Sequence, residues 1–111
     1  MYKISINYPY NEDKYFDRDY YLKTHIPMVK DALSPLGLKQ VEVVFGQASL
    51  MNKQPRFFAI ANMYFEDIPS MGAALQSKGA ELTGDVKNFT DVLPYEEISE
   101  VSISISVHTT C

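Results

Sequence analysis

The chain is short of the residues on which several whole classes of function depend. Among 111 residues there is one cysteine, there are two histidines and five glycines, and there is no tryptophan. The single cysteine, Cys111, is the last residue, so no disulfide can close within the chain and no paired-thiolate metal site can form. Its simplest reading is a bystander at a frayed end. Only His25 and His108 offer imidazole, without an H-x-x-x-H, H-x-H or cysteine set beside them, so no metal is expected. The five glycines are all isolated, which leaves no glycine-rich phosphate loop and gives no indication of a nucleotide cofactor.

A one-signed charge cluster is missing too. Ten Lys and Arg and fourteen Asp and Glu, a balance of -4, are scattered singly rather than gathered into a basic stripe, which argues against a nucleic-acid partner. The longest apolar stretch, FFAIANMYF, is far short of the roughly 20 residues a membrane helix needs. The opening MYKISINYPY has no apolar signal core, so the expectation is a soluble, cytoplasmic protein without a membrane partner. At 46% hydrophobic and 22% charged residues the chain is not of disordered composition, and its length fits one globular domain over residues 1–111.

Periodicity supplies the elements. Tyr2, Ile4, Ile6 and Tyr8 alternate with Lys3, Ser5 and Asn7, a strand pattern that Pro9 ends. From Asp13 to Leu33 the pattern is helical, with Phe16 and Tyr20 on one face. After Ser34, Pro35 and Gly37, LKQVEVVFGQ alternates again, and RFFAIANMYF reads as a neighbouring strand apolar on both faces. One side would carry Phe57, Ala59, Ala61, Met63 and Phe65, the other Phe58, Ile60 and Tyr64. Asp67 followed by Pro69 signals a second helix, which Gly79 should interrupt before a short piece from Ala80 to Asn88. EEISEVSISISV closes the chain as a strand in which Val101, Ile103, Ile105 and Val107 oppose Ser102, Ser104 and Ser106.

The order β-α-β-β-α-β predicts an α+β, ferredoxin-like fold: a four-stranded antiparallel sheet with both helices on one face. The other face is then bare, and the third strand is too apolar to face water, so a second copy of the chain is the expected cover and a homodimer the expected state.

The most informative stretch is YYLKTHIPMV, residues 20–29, where His25 stands two places ahead of Pro27. Proline has no N–H and its ring clashes with the carbonyl four residues back, here Lys23, so a straight helix through this point would cost about 3 kcal/mol. The helix should kink or restart there, Ile26 should be pushed away from helical torsions, and Pro27 suits the first turn of a second piece ending near Leu33. His25 would then project from the bend. An imidazole titrates near about pH 6.5, so one carboxylate neighbour lets it act as acid, base or hydrogen-bond partner; the plainer reading is that His25 caps carbonyls freed at the kink.

The runs DKYFDRDYYLKTHIPMVKD and GDVKNFTDVLPYEEISEV resemble the EthD family of small dimeric α+β barrel proteins, which share the aromatic-rich helix, the H-x-P step and a late F-T-D segment. The resemblance implies a ferredoxin-like protomer, a dimer whose two sheets form a barrel, and a ligand cavity between sheet and helices. Similar folds serve cofactor-free monooxygenases, lactone isomerases, polyketide cyclases and haem-degrading enzymes. A haem role does not suit a chain whose helical histidine lies in the first helix rather than the later ones and which has no tryptophan. The matching positions are His25 and Pro27, with Phe89, Thr90 and Asp91 before the last strand.

On this reading His25 is the expected acid or base, Asp91 its orienting carboxylate, and Tyr21 a phenol that holds a substrate oxygen or donates a proton. Asp91 could instead be a turn aspartate bonding local backbone ahead of Pro94, and both Tyr20 and Tyr21 could be core residues with satisfied hydroxyls. Tyr20, Asn7, Asn62, Tyr64 and Phe89 are candidate ligand contacts, although the alternation alone does not say which sheet face Asn7 and Asn62 occupy. The expected function is cofactor-independent enzymology, of monooxygenase or cyclase/isomerase type, on a small hydrophobic or aromatic compound. The alternatives are a ligand-binding or accessory protein for a monooxygenase system, and a structural protein whose cavity is filled.

Overall fold

A computed structural model describes residues 1–51 and 53–108; Cys111 lies outside the described residues. Strand β1 (Tyr2–Pro9) leads into helix α1 (Arg18–Tyr20), which runs on without a break through a π turn (Tyr21–His25) into α2 (Ile26–Leu33). A short 3-10 turn (Ser34–Leu36), strands β2 (Gln40–Phe45) and β3 (Phe57–Phe65), helix α3 (Ile68–Gly84), a second 3-10 turn (Val86–Asn88) and strand β4 (Tyr95–Glu100) follow. The sheet is antiparallel in the order β2-β3-β1-β4, the expected ferredoxin-like arrangement, with β2 and β3 neighbours.

Local chemistry explains most element ends. The Asp17 carboxylate accepts from the Tyr20 N–H at 3.1 Å and caps the first helix. The helix therefore starts later than the apolar spacing suggests: Phe16 makes an isolated antiparallel bridge to Thr90, the Tyr15 carbonyl accepts from the Thr90 hydroxyl, and the Asp17 N–H bonds the Phe89 carbonyl at 2.8 Å, so residues 15–17 are tied to the segment before β4. Asp67 caps α3 through the Ser70 N–H at 2.7 Å, with Pro69 in the first turn as expected. Gly79 does not interrupt α3, because the stabilising face of Met71, Ala74 and Leu82 continues across it to Gly84. Gly37 leaves the first helical run at φ 108°, a left-handed conformation that favours glycine.

Two expectations about the strands are corrected. A register shift between Tyr8 and Pro9 makes Pro9 oppose Phe57 while Tyr8 opposes Ala59, leaving Phe58 as the extra residue. Phe58 therefore turns to the helix face, where its ring stacks on Phe16 at 5.7 Å, and Phe57 goes to the open face against Tyr95 at 6.3 Å. The last strand also stops early. Glu100 opposes Tyr2 and the Val101 N–H bonds the Met1 carbonyl at 2.9 Å, and the pairing with β1 ends there. Ile103, Ile105 and Val107 accordingly stay outside the sheet, 74%, 73% and 84% exposed.

The core lies between sheet and helices in two connected parts. One joins Ile4, Met63 and Phe65 to Val29, Leu33 and Met71. The other is aromatic: Tyr8, Phe16, Tyr21, Phe45, Phe58 and Phe89 pack mostly edge to face with ring centroids 4.9–6.4 Å apart. The functional candidates sit where these two parts meet.

Candidate functional site

The helix from Arg18 to Leu33 accommodates Pro27 by a route other than the expected kink. Ile26 keeps helical torsions (φ −65°, ψ −43°), and its N–H reaches back five residues to the Tyr21 carbonyl instead of four. Widening the turn relieves the conflict at Lys23 without stopping the helix, and π turns of this kind occur often at functional sites. Its last residue is His25, only 5% exposed and turned inward rather than left at the surface.

His25 Nδ1 lies 2.8 Å from Asp85 Oδ2, with the two side chains 7% and 10% exposed. An ionised carboxylate can only accept, so Nδ1 carries the hydrogen and Nε2 is left as a basic nitrogen. Asp85 stands at the C-terminus of α3 and is itself held. Its Oδ1 accepts from the Tyr20 hydroxyl at 2.7 Å and from Asn88 Nδ2 at 2.9 Å. Burial works to raise the Asp85 pKa, but hydrogen bonds from Asn88, Tyr20 and His25, with attraction to His25, outweigh it and hold the carboxyl below its ordinary value. The imidazole is fixed on its other sides by rings: Phe89 at 4.7 Å and Tyr21, nearly parallel, at 5.6 Å.

His25, with Asp85 behind it, forms part of the wall of a cavity of about 470 Å³ between the sheet and the helices, within the usual range for small-molecule sites. Ile6, Ala61 and Met63 line it from the sheet, and Val29, Leu75 and Leu82 from the helices. Tyr8 and Tyr21 also border it; both are fully buried, and desolvation raises both phenol pKa values far above the ordinary range. They are neutral groups at any physiological pH. The Tyr21 hydroxyl has no hydrogen-bond partner among the described residues. It interacts with Tyr8 as a donor, which adds to the rise of its own pKa and opposes the rise at Tyr8, although the strict geometry of a hydrogen bond is not met.

The remaining candidates divide between the two faces of the sheet. Tyr20 positions Asp85 and does not line the cavity, while Phe89 is fully buried behind the imidazole. Asp91 lies at the cavity, yet its carboxylate accepts the Tyr15 N–H at 3.2 Å and faces Lys14 Nζ at 3.9 Å; the position beside His25 expected for it belongs to Asp85. Asn7, Asn62 and Tyr64 are on the open face, away from the cavity. There Asn62 accepts from Ser5 Oγ at 2.6 Å and donates to Glu42 at 3.0 Å, while Asn7 Nδ2 bonds the Ser5 and Tyr95 carbonyls, each at 3.2 Å.

Asp85 was the residue missed, since Gly84-Asp85 reads as turn punctuation and nothing local marks a carboxylate 60 positions away as the partner of His25. Among the described residues no group of three or more His, Cys, Asp or Glu is arranged to hold a metal ion, and no helix is long and apolar enough to cross a membrane.

Comparison with known proteins agrees with this architecture. The EthD domain profile matches residues 10–92, which include both the H-x-P step and the F-T-D segment. An EthD-like protein from Ralstonia eutropha JMP134 superposes with a TM-score of 0.86 at 36% identity, covering 95% of each chain. An ethyl tert-butyl ether degradation (EthD) family protein from Bacillus halodurans C-125 gives 0.63 at 21% identity, over 92% of this chain and 99% of that one. A candidate antibiotic biosynthesis monooxygenase from Deinococcus radiodurans shares the fold, with a TM-score of 0.62 at 13% identity over 98% of this chain and 100% of its own. No curated protein matches the chain. With three quarters of its length inside the domain profile and a solved relative at 36% identity across nearly all of it, the chain belongs to the EthD family.

Proposed function

We propose that the protein is a cofactor-independent acid/base enzyme that moves a proton within a small hydrophobic or aromatic compound held between sheet and helices. The observation that carries this reading is His25 on the wall of a largely apolar cavity, with the buried Asp85 carboxylate 2.8 Å from its Nδ1. Asp85 fixes the tautomer and stabilises the imidazolium, so Nε2 can take a proton from bound substrate and return it elsewhere. The chemistry is of cyclase or isomerase type; a monooxygenase of the same design would add molecular oxygen to the carbanion as a hydroperoxide, whose O–O bond then breaks to leave a carbonyl and release the second oxygen as water.

A non-catalytic binding or accessory role is the second reading. It is favoured by the scarcity of mobile protons in the site: Tyr8 and Tyr21 stay neutral, and one imidazole suffices for a carrier that merely orients its ligand. His25→Ala separates the two. Turnover should fall by about two to four orders of magnitude while ligand binding persists if His25 is acid or base. Equal loss of binding and turnover would favour the carrier.

We also propose that the working form is a homodimer assembled on the open face of the sheet. Support comes from Val44, Tyr95 and the segment beyond Glu100, whose apolar side chains are largely exposed in the single chain. The alternation of Val101, Ile103, Ile105 and Val107 is that of a strand which β1 is too short to pair, and a second copy supplies backbone for it.

A further inference from the structure

We infer that the ligand is a hydroxyarene, a phenol or naphthol, whose hydroxyl gives its hydrogen to His25 Nε2 and accepts one from the Tyr8 hydroxyl. This names the substrate class of the acid/base reading and rests on it. Hydrogen-bond accounting leaves two polar atoms open inside the cavity. Among the described residues the Tyr21 hydroxyl is the side-chain polar atom that is both sealed off and unpartnered. His25 Nε2 and the Tyr8 hydroxyl have no bonded partner among those residues either, yet they are not sealed, and both residues line the cavity, so each atom keeps its accessible surface there. Thr90, the other buried polar residue of the wall, is spent: its hydroxyl donates to the Tyr15 carbonyl at 2.6 Å and accepts the Val92 N–H at 3.1 Å. Thr83, Lys87, Asp91 and Glu96 also border the cavity, but all four are exposed and bring charges of both signs to its rim.

The two open atoms require opposite things of a ligand. With its Nδ1 hydrogen given to Asp85, the imidazole presents a lone pair at Nε2 and needs a hydrogen. Tyr21 acts as donor toward Tyr8, whose own hydrogen is then left to give. A carbonyl or ether would serve Tyr8 and leave Nε2 unmet, whereas a hydroxyl serves both with one oxygen. Among hydroxyls an aromatic one, titrating near about 10 as a tyrosine does, is acidic enough to yield its proton to an imidazole backed by a carboxylate. Its ring suits a cavity walled by Ile6, Val29, Ala61 and Leu82. The step is balanced within the substrate. The O–H bond breaks, the proton passes to Nε2, and the electron pair stays on an oxygen that now faces two donors, the imidazolium and Tyr8. That charge delocalises onto the ring carbon ortho to the oxygen, and return of the proton to this carbon gives the keto tautomer, with nothing oxidised or reduced.

The test uses 2-naphthol, its methyl ether 2-methoxynaphthalene, which accepts but cannot donate, and naphthalene, on wild type, Tyr8→Phe and His25→Leu. Ligand-observed NMR titration gives affinities, and exchange of the ring hydrogen ortho to the hydroxyl in D2O reports proton transfer to carbon. Wild type should bind 2-naphthol about tenfold more tightly than the ether, the scale of one hydrogen bond, and should accelerate the exchange. Tyr8→Phe should lower 2-naphthol affinity by a similar factor, leave naphthalene affinity unchanged and slow the exchange. His25→Leu should remove the preference of naphthol over ether and abolish the exchange. Equal affinity of wild type for all three compounds would overturn the hydroxyl subsite without touching the acid/base role of His25. A preference for 2-naphthol without accelerated exchange would support the subsite and overturn the acid/base reading. Failure to bind any of the three would overturn both.

Discussion

Replacing Asp85 by asparagine probes the site without changing its shape. The carboxylate accepts three hydrogen bonds, from Tyr20, His25 and Asn88, at 2.7, 2.8 and 2.9 Å. An amide has one accepting oxygen. If it keeps Tyr20 and Asn88, its NH2 faces His25 Nδ1, which must then accept; the hydrogen moves to Nε2 and the base facing the cavity is lost. Hydrogen bonds to charged groups contribute about 1.5–3 kcal/mol and neutral ones about 0.5–1.5, so the substitution should cost about 1–3 kcal/mol, a drop in Tm of roughly 5–15 °C. Turnover should fall by about two to four orders of magnitude through the tautomer change. The pH dependence adds a separate signature. Asp85 is held below its ordinary value of 3.8 in the folded state, so between the folded and unfolded pKa values the unfolded chain binds more protons and stability rises with pH. That contribution is complete above the unfolded value and is lost as acid carries the pH down through the folded one; Asp85→Asn should flatten this acid limb. Thermal melts from pH 2.5 to 6, with long-range ¹H–¹⁵N spectra of the imidazole, measure both effects. An unchanged tautomer together with an unchanged acid slope would refute the assigned role of Asp85.

Two further outcomes test the cavity and the assembly. A Cβ added at Gly79 meets no atom within 4 Å although the residue lines the cavity, so Gly79→Leu should fill the space, abolish binding of small aromatic ligands in the cavity and leave stability equal or up to about 1 kcal/mol higher from helix propensity; retained binding would place the ligand elsewhere. Removing residues 101–111 should shift sedimentation equilibrium from dimer toward monomer while circular dichroism stays native, and an unaltered dimer would show that the terminal segment takes no part in assembly.

The fold was legible because its signals are local: alternation in β1 and β2, an apolar run in β3, an aspartate cap on α3, and the β-α-β-β-α-β order. What alternation cannot show is where a partner strand ends. Val101 to Val107 has the pattern of a strand, but β1 begins at Tyr2, and pairing needs a neighbour as well as a propensity. Phe57 and Phe58 occupy the faces opposite to those alternation predicts for a related reason: one extra residue at the β1–β3 register shift inverts every facing assignment beyond it. The site was half legible. His25 and Tyr21 belong to a helical stretch with recognisable chemistry, whereas Asp85 meets them only through the packing of α3 against the first helix.

The π turn was also written in the sequence, in the spacing of the buried residues. Tyr21, His25, Val29 and Leu33 recur at intervals of four, and all are buried, at 0%, 5%, 5% and 0% exposure. At 3.6 residues per turn a repeat of four drifts about 40° per step, so a uniform α-helix would carry the stripe about 120° around its axis by Leu33. A helix lying on a sheet cannot bury such a stripe along its whole length. One wider turn offsets part of that drift, and Pro27, which has no N–H to bond Lys23, fixes where it occurs. The proline and the histidine are thus consequences of one geometric requirement. The wide turn keeps His25 on the buried face between Tyr21 and Val29, where the end of α3 can bring Asp85 against its Nδ1 and leave Nε2 for the cavity.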